Sequence, residues 1–256
     1  MMMKELTGKT IWLVGASSGI GHALAKKMAE NDNFVIVTAR NKDALNDMQA
    51  EYPEKISVLP GDITNQESLN DIEAGLNQTT DSIDLVLLCA GTCEYDDGPQ
   101  LDVDMYRRVF DVNFFASVAC TRIALPMLKR ARGVVVGVSS LASVVPFPRA
   151  EAYGASKAAL EYFLQSLSVD LKETGVQVQV VRPGFVKTPL TQRNDFDMPY
   201  IMSAEEAAEA IVAGIVRQKK VFSFPWQLSW TLNFFSLFKG IWMKTIAGGF
   251  KKPRRL

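Results

Sequence analysis

Tyr153 and Lys157 stand four residues apart in a stretch whose composition favours a helix. The segment from Glu151 to Thr174 contains no proline, and its apolar residues recur at helical spacing. Because residues four apart share a helix face, the phenol and the ammonium would be neighbours. A nearby positive charge favours the phenolate, so we expect the pKa of Tyr153 to lie below its ordinary value of about 10. Such a tyrosine exchanges a proton near neutral pH, although an unrelated surface pair one turn apart would have the same spacing.

Three glycines follow the first predicted strand, Thr10–Val14, and precede a helical pattern. A strand, a glycine-rich turn and a helix N-terminus together form a cradle for phosphates, because the backbone approaches the ligand closely and offers free N–H groups. The spacing is G-x-x-x-G-x-G, and an ordinary tight turn is the alternative interpretation. The predicted cofactor-binding residues of this loop are Gly15, Ser17, Ser18, Gly19, Ile20 and Gly21.

The second predicted strand, Phe34–Thr38, is followed by Ala39 and Arg40. In dinucleotide-binding folds the end of this strand lies beside the adenosine ribose, where an acidic residue would bind the 2′-hydroxyl. Here a guanidinium is available and no acid is present, which favours a 2′-phosphate and therefore NADP(H). A solvated surface arginine is the alternative.

Strand-like and helix-like segments alternate along most of the chain, which is typical of βα units joined by right-handed crossovers. We therefore predict an α/β fold with a single doubly wound, Rossmann-type domain and a parallel sheet of about seven strands. The domain would cover residues 1–224, and residues 225–256 would form an apolar and basic C-terminal helical extension. The later predicted strands are Ile56–Leu59, Ile83–Leu88, Val134–Val138, Val176–Val181 and Val221–Phe224.

The composition excludes several classes of function. The 256 residues carry a formal net charge of zero, which gives no general attraction to nucleic acid. The three cysteines show neither metal-ligand spacing nor a disulfide framework, and only one histidine is present, so we predict no metal site. The first ten residues are too polar for a signal peptide. We therefore expect a cytoplasmic protein.

The order and spacing of these motifs closely resemble the short-chain dehydrogenase/reductase family over roughly residues 7–224. The resemblance implies that Tyr153 is the acid in reduction and the base in oxidation. It further implies that Lys157 lowers the pKa of this tyrosine and holds the nicotinamide ribose, that Ser140 steadies the substrate oxygen, and that Asn113 supports a proton relay. Ser139 is a weaker candidate than Ser140. The remaining residues that the resemblance assigns to cofactor binding are Asp62, Ile63, Ala90, Gly91, Pro183, Gly184, Val186 and Thr188, with Asn113, Tyr153 and Lys157 shared between both roles.

Two positions depart from the family pattern. Val14 stands where the family usually has threonine, and Cys89 stands where it usually has asparagine. Both end strands that would be neighbours in the sheet, so we expect an apolar contact in place of a polar one. A buried structural cysteine is favoured over a reactive thiol at Cys89.

The predicted substrate pocket lies between the segment Phe185–Ser203, which would form a lid, and the segment Leu141–Phe147. Both are rich in apolar residues, which indicates a lipophilic carbonyl or alcohol unless the lid residues merely pack on the body. We predict an NADP(H)-dependent oxidoreductase; a non-catalytic dinucleotide-binding sensor or scaffold is the alternative.

The segment Phe224–Phe250 has no counterpart in the family body and is rich in aromatic residues ahead of a basic cluster, Lys251–Arg255. Its polar interruptions argue against a membrane span. We expect peripheral attachment to a membrane surface or an apolar oligomer contact, and a helix folded over the substrate pocket is the alternative. The resemblance also implies a homodimer or homotetramer formed through the helices around Val103–Lys129 and Glu151–Thr174.

Overall fold

The computed structural model of the protein describes residues 6–96 and 101–245. All the strand pairs are parallel, and the sheet runs in the order β3-β2-β1-β4-β5-β6-β7. The prediction of a parallel sheet of about seven strands is therefore confirmed. The strands are β1 (Thr10–Val14), β2 (Phe34–Thr38), β3 (Ile56–Val58), β4 (Leu85–Leu88), β5 (Val134–Val138), β6 (Gln177–Pro183) and β7 (Val221–Phe224).

The helices cover both faces of the sheet. One face packs on the first, second and seventh helices, and the other packs on the third, fifth and sixth, so that the central strands β1, β2, β4 and β5 are buried from both sides. This explains why strands such as β4 are continuous apolar runs. The helices are α1 (Gly19–Glu30), α2 (Lys42–Glu51), α3 (Gln66–Thr79), α4 (Val103–Phe110), α5 (Ala116–Ala131), α6 (Glu151–Asp170), α7 (Ala204–Val216), α8 (Trp226–Leu237) and α9 (Lys239–Thr245).

The long helix predicted over Val103–Lys129 differs from the expectation in its centre. Between α4 and α5 the chain makes one π-helical turn, Asp111–Phe115, which contains Asn113. A π turn inserts an extra residue into the helix, and such turns occur frequently at functional sites. Apolar periodicity does not reveal it, because the residues on either side remain helical. Similarly, α6 ends at Asp170 and a short 3₁₀ turn replaces its predicted last residues.

The C-terminal segment folds back onto the body of the protein. Leu228 and Leu232 of α8 and Trp242 of α9 are buried against Leu141 and Val145, which follow strand β5. The indole Nε1 of Trp242 also donates a hydrogen bond to the carbonyl oxygen of Pro146 at 2.7 Å. The described part of the predicted extension, up to Thr245, is therefore helical, and one side of it packs on the domain. The predicted basic cluster Lys251–Arg255 and residues 246–250 lie outside the described residues.

Candidate active site

Helix α6 is held directly against the end of strand β5. Gly137 of β5 has no side chain, and the space is filled by Leu164 of α6. At the top of the strand, the Nζ of Lys157 donates to the carbonyl oxygen of Val138 at 3.0 Å, and the hydroxyl of Ser139 donates to the carbonyl oxygen of Lys157 at 3.0 Å. These contacts fix α6 so that Tyr153 faces the carboxyl edge of the sheet, where ligands bind in folds of this type.

Tyr153 and Ser140 form a hydrogen-bonded pair of hydroxyl groups. Ser140 caps the short turn after β5, where its Oγ also accepts a hydrogen bond from the backbone N–H of Ala142 at 3.1 Å. Ser139 is instead buried and bound to the backbone of α6. The structure thus places Ser140, and not Ser139, beside the phenol.

The expected lowering of the pKa of Tyr153 is wrong for this structure. Burial raises the pKa of Tyr153 to about 12, because the phenolate loses its hydration, and the hydrogen bond with Ser140 only partly opposes this effect. The ammonium of Lys157 lies 6.0 Å from the centroid of the tyrosine ring and is bound to Val138. The tyrosine is therefore a neutral phenol at physiological pH.

Lys157 is buried as well, and burial lowers the pKa of its amine to about 8. The cause is again desolvation, which here disfavours the ammonium. Asn113 lies close by: if Gly91 carried a side chain, its first carbon would lie 3.2 Å from the Nζ of Lys157 and 3.4 Å from the Oδ1 of Asn113. The small residue at position 91 therefore leaves space between these two polar groups.

Asn113 is fully buried in the π turn, and its amide is satisfied on both sides. Its Oδ1 accepts from the N–H of Thr92 at 2.8 Å, while its Nδ2 donates to the carbonyl oxygen of Thr92 and to the hydroxyl of Ser156, both at 2.9 Å. Asn113 thus ties the segment after β4 to helix α6. Thr92 and Ser156 were not predicted, because hydroxyl and backbone partners of this kind leave no pattern in sequence.

The glycine loop fits a phosphate-bearing cofactor. Gly15 has φ +90°, which other residues rarely adopt, and a side chain there would lie 2.5 Å from the backbone N of Ala90. Gly21 packs in the same way on the carbonyl of Gly15. Next to Gly19 lies the side chain of Thr188, from the loop after β6. Backbone N–H groups at the start of α1 therefore face an open cleft.

At the end of β2, Arg40 is exposed and Asp62 lies near it. Burial raises the pKa of Asp62, but hydrogen bonds from Thr64 and the charge of Arg40 outweigh it, so the pKa lies below its ordinary value. Asp62 does not cap the following helix, because Asn65 does so by accepting from the N–H of Ser68. Asp62 instead lines the cleft, where the resemblance assigns it to cofactor binding.

The cleft has a volume of about 410 Å³ and runs along the carboxyl edge of the sheet from Arg40 to Lys157. All the predicted cofactor-binding residues except Asn113 line it; Asn113 lies near Lys157, next to Gly91. Cleft residues that the sequence-based interpretation did not assign include Thr38, Asn41, Thr64 and Val112.

A second, smaller cavity of about 100 Å³ meets the cleft at Ser140 and Tyr153, which line both. Its apolar walls include the predicted Phe185 and Phe196 of the lid. Tyr200 and Ile201, which were predicted in the same lid, are exposed instead. The cavity residues that were not predicted include Cys93, Tyr95, Pro148 and Ala150. Leu228 and Leu232 of α8 also line it, which agrees with the alternative expectation of a C-terminal helix folded over this pocket.

The lid is bound to the segment after β4. The hydroxyl of Tyr95 donates to the Oδ1 of Asn194 at 2.6 Å. Arg149 forms an ion pair with Asp195 at 2.8 Å, and both side chains are largely buried. These contacts hold the lid beside the small cavity, whose wall includes Tyr95 and Asn194.

Val14 and Cys89 are neighbours, as the sequence predicted, because β1 pairs with β4 and the N–H of Cys89 donates to the carbonyl oxygen of Val14 at 2.9 Å. Burial raises the pKa of the Cys89 thiol to about 12, against a smaller opposing effect of the Lys157 charge. A thiol of this kind is neutral at physiological pH and a poor nucleophile.

Comparison with known proteins agrees with this architecture. Residues 9–198 match the family model for short chain dehydrogenases. An uncharacterized oxidoreductase of Myxococcus xanthus is 37% identical over 231 residues, which cover 89% of this chain and 91% of the relative. Estradiol 17-beta-dehydrogenase 2 of Rattus norvegicus is 31% identical over 192 residues, which cover 73% of this chain and 50% of the relative.

Among solved structures, a short chain dehydrogenase of Burkholderia cenocepacia in complex with NADP has the same fold. Its TM-score is 0.83, with 22% identity, and the match covers 94% of this chain and 99% of that one. Both the family match over most of the chain and the sequence relatives lead to one assignment. The chain belongs to the short-chain dehydrogenase family, whose members are oxidoreductases with a Rossmann-type fold.

Proposed function

We propose that this protein is an NADP(H)-dependent oxidoreductase that interconverts a lipophilic carbonyl compound and the corresponding secondary alcohol. The observation that carries the proposal is the position of the Ser140–Tyr153 hydroxyl pair, which lies where the cleft meets the smaller apolar cavity. A cofactor in the cleft and a substrate in the cavity would meet at these two hydroxyl groups.

The chain supplies the proton and the placement. When bound, the nicotinamide cofactor supplies or accepts the hydride. The neutral phenol of Tyr153 is the form that donates a proton to a carbonyl oxygen during reduction, and Ser140 is placed to donate a hydrogen bond to the same oxygen. Lys157 would hold the nicotinamide ribose, and Asn113 positions the loop in front of it.

The glycine loop would hold the phosphates of the cofactor, and Thr188, beside Gly19, would contact the nicotinamide carboxamide. Arg40 stands at the end of β2, exposed and free to reach a 2′-phosphate, and Ala39 before it is buried. NADP in the complex of the Burkholderia cenocepacia relative supports the same choice of cofactor. We therefore propose NADP(H) over NAD(H).

Arg40→Ala is expected to weaken NADP(H) binding by about 1.5–3 kcal/mol, since a hydrogen bond to a charged phosphate would be lost. NAD(H), which lacks that phosphate, should bind nearly as before. Dissociation constants of both cofactors, measured by fluorescence titration, check this prediction. Equal losses for the two cofactors would show that Arg40 does not bind the 2′-phosphate.

A lipophilic substrate is proposed because aromatic and aliphatic side chains form most of the cavity wall. The name of the rat relative, an estradiol dehydrogenase, supports an apolar alcohol or ketone. NADPH consumption with a panel of apolar ketones, aldehydes and polar sugars tests both the reaction and the substrate class. We expect turnover with the apolar ketones; turnover confined to sugars would contradict the substrate class, and none with any carbonyl would favour the non-catalytic alternative.

We also propose a cytoplasmic homodimer or homotetramer. Phe115, Tyr162 and Val169 are exposed apolar residues on the long helices around Asn113 and Tyr153, which supports pairing of these helices between subunits. Light scattering at micromolar concentration measures the assembly, and a monomer would contradict it. The division into a catalytic domain, residues 1–224, and an extension, residues 225–256, remains part of the proposal.

A further inference from the structure

We propose that the exposed face of helices α8 and α9 docks onto the surface of an anionic lipid bilayer, a role beyond the oxidoreductase chemistry. We call this surface the outer face. Between 47% and 77% of each of its side chains is exposed, which is unusual for a contiguous set of large apolar residues. The outer face consists of Trp226, Trp230, Phe234, Leu237, Phe238, Ile241 and Met243.

Helix α8 is apolar on two opposite sides, and only one of them is covered. Leu228 and Leu232 face the protein and line the substrate cavity. Trp226, Trp230 and Phe234 follow one another at intervals of four residues on the exposed side, where the rings of Trp230 and Phe234 stack with centroids 5.8 Å apart. A helix with two apolar sides is most stable when both are removed from water. The outer face therefore requires an apolar partner.

The distribution of charged residues near the C-terminal helices indicates which apolar partner binds the outer face. Glu209 is the last acidic residue of the sequence, and nine basic residues follow it. Among those that the structure describes, Lys239 and Lys244 are exposed on α9, next to the outer face. An anionic bilayer attracts such a segment and accepts aromatic residues at the headgroup level. The nine are Arg217, Lys219, Lys220, Lys239, Lys244, Lys251, Lys252, Arg254 and Arg255.

The helices lie on the bilayer and do not cross it. Helix α8 has 12 residues and α9 has 7, whereas a spanning helix needs about 20. Within residues 6–96 and 101–245, the one helical stretch long and apolar enough to span is Val103–Ala131, and it packs on the sheet. The outer face therefore fits a shallow position at the boundary between headgroups and acyl chains.

A second copy of this chain is the competing partner for the outer face. If two outer faces paired, the exposed lysines of both α9 helices would be brought together with no acidic residue in the segment to neutralise them. Anionic headgroups supply that neutralisation. The charge pattern consequently favours lipid over self-association.

Tryptophan fluorescence gives a test with an internal reference. Trp226 and Trp230 are 74% and 69% exposed, whereas Trp12 and Trp242 are buried. With mixed phosphatidylcholine and phosphatidylglycerol vesicles that carry a brominated lipid, we expect quenching of the two exposed indoles only. Full-length protein should also sediment with these vesicles, less so as salt increases, and not with pure phosphatidylcholine.

The double variant Trp226→Ser/Trp230→Ser should lose about tenfold or more in vesicle affinity. Tyr200→Ser, which removes an exposed aromatic ring (56%) outside the outer face and away from the helices proposed to pair between subunits, is the matched control and should bind vesicles like the wild type. Turnover of a water-soluble ketone by the double variant should remain unchanged, because neither tryptophan lines the cavity. Circular dichroism verifies that each variant is folded.

Three outcomes would overturn the proposal. In the first, the wild-type protein does not sediment with anionic vesicles at low salt. In the second, the double variant binds vesicles as well as the wild type. In the third, the mass of the double variant by light scattering falls, which would assign the outer face to a second copy. Vesicle binding is measured without substrate. Absence of binding would therefore contradict the membrane proposal and leave the proposed oxidoreductase activity untouched. Truncation after Phe224 would not separate membrane binding from activity, because it would also remove Leu228 and Leu232 from the cavity wall.

Discussion

Replacing Tyr153 with phenylalanine is expected to lower kcat by about 10²–10⁴-fold, the range that a positioned general acid contributes. The change removes one hydroxyl and keeps the ring, so the packing of α6 should persist. Because the hydroxyl is hydrogen-bonded to Ser140 at the junction of cleft and cavity, its loss takes the proton donor from the substrate oxygen. Cofactor affinity should change little.

Steady-state turnover of an apolar ketone and a fluorescence titration with NADPH measure the two effects separately. Tyr162→Phe provides the control, because the same chemical change is made at an exposed position of the same helix. If Tyr153→Phe retained the kcat of the wild type, the assignment of the proton donor would be wrong. If the variant lost cofactor affinity and kcat in equal measure, the tyrosine would act in binding.

Replacing Lys157 with methionine is expected to abolish most of the turnover and, below pH 8, to stabilise the fold. Burial lowers the pKa of the amine from 10.5 to about 8, so the native state bears the cost of a desolvated ammonium at neutral pH. The hydrogen bond to Val138 offsets part of that cost. We expect a gain of about 1–2 kcal/mol in the free energy of unfolding, together with weaker cofactor binding.

The pH dependence of the free energy of unfolding distinguishes removal of the buried ammonium from simple repacking of the side chain. Below pH 8 the amine is protonated in both the folded and the unfolded wild type, and the destabilisation is complete. Between pH 8 and about 10.5 the folded state loses its proton first, so the unfolded state binds more protons and wild-type stability rises with pH. The advantage of Lys157→Met should therefore shrink over this interval.

Urea unfolding of both proteins at several pH values from 7 to 10 checks the prediction. The raised pKa of Tyr153 affects stability only above pH 10 and is common to both proteins. A constant difference across the series would mean that the gain comes from packing. A variant less stable than the wild type at pH 7 would show that the ammonium is well compensated.

The sheet was predictable because most of its strands are buried on both sides and therefore appear as apolar runs in the sequence. Strands β1, β2, β5 and β7 have the predicted bounds, since glycine, proline or polar residues end each apolar run. Ile83 was predicted in β4 but precedes it, because burial alone does not distinguish a strand from the buried residue that leads into it.

The pKa of Tyr153 was not predictable, because spacing fixes the face of a helix and not the direction of an amine. Lys157 is long enough to reach either the phenol or the carbonyl of Val138, and only the approach of α6 to β5 decides between them. The sequence likewise contains no sign that burial would outweigh the nearby charge.

Contacts between residues that are far apart in the chain also could not be predicted from the sequence. Tyr95 and Asn194 are 99 residues apart and meet only because the segment after β4 and the lid flank the same cavity. Leu228 and Leu232 could equally have faced lipid, solvent or another subunit, since α8 is apolar on more than one side. Periodicity identifies apolar faces, but it does not identify what covers them.

Helix α8 contributes to the wall of the small cavity but not to the cleft. The fit of a substrate and the reaction chemistry are therefore encoded by different parts of the sequence. Every residue that we place in proton transfer or cofactor binding precedes residue 192, whereas Leu228 and Leu232 belong to the last 31 residues. Recombination or drift confined to the codons of α8 would therefore alter which molecules fit the small cavity while the residues of the cleft are inherited unchanged. Helix α8 is therefore the natural segment to exchange when a new specificity is sought.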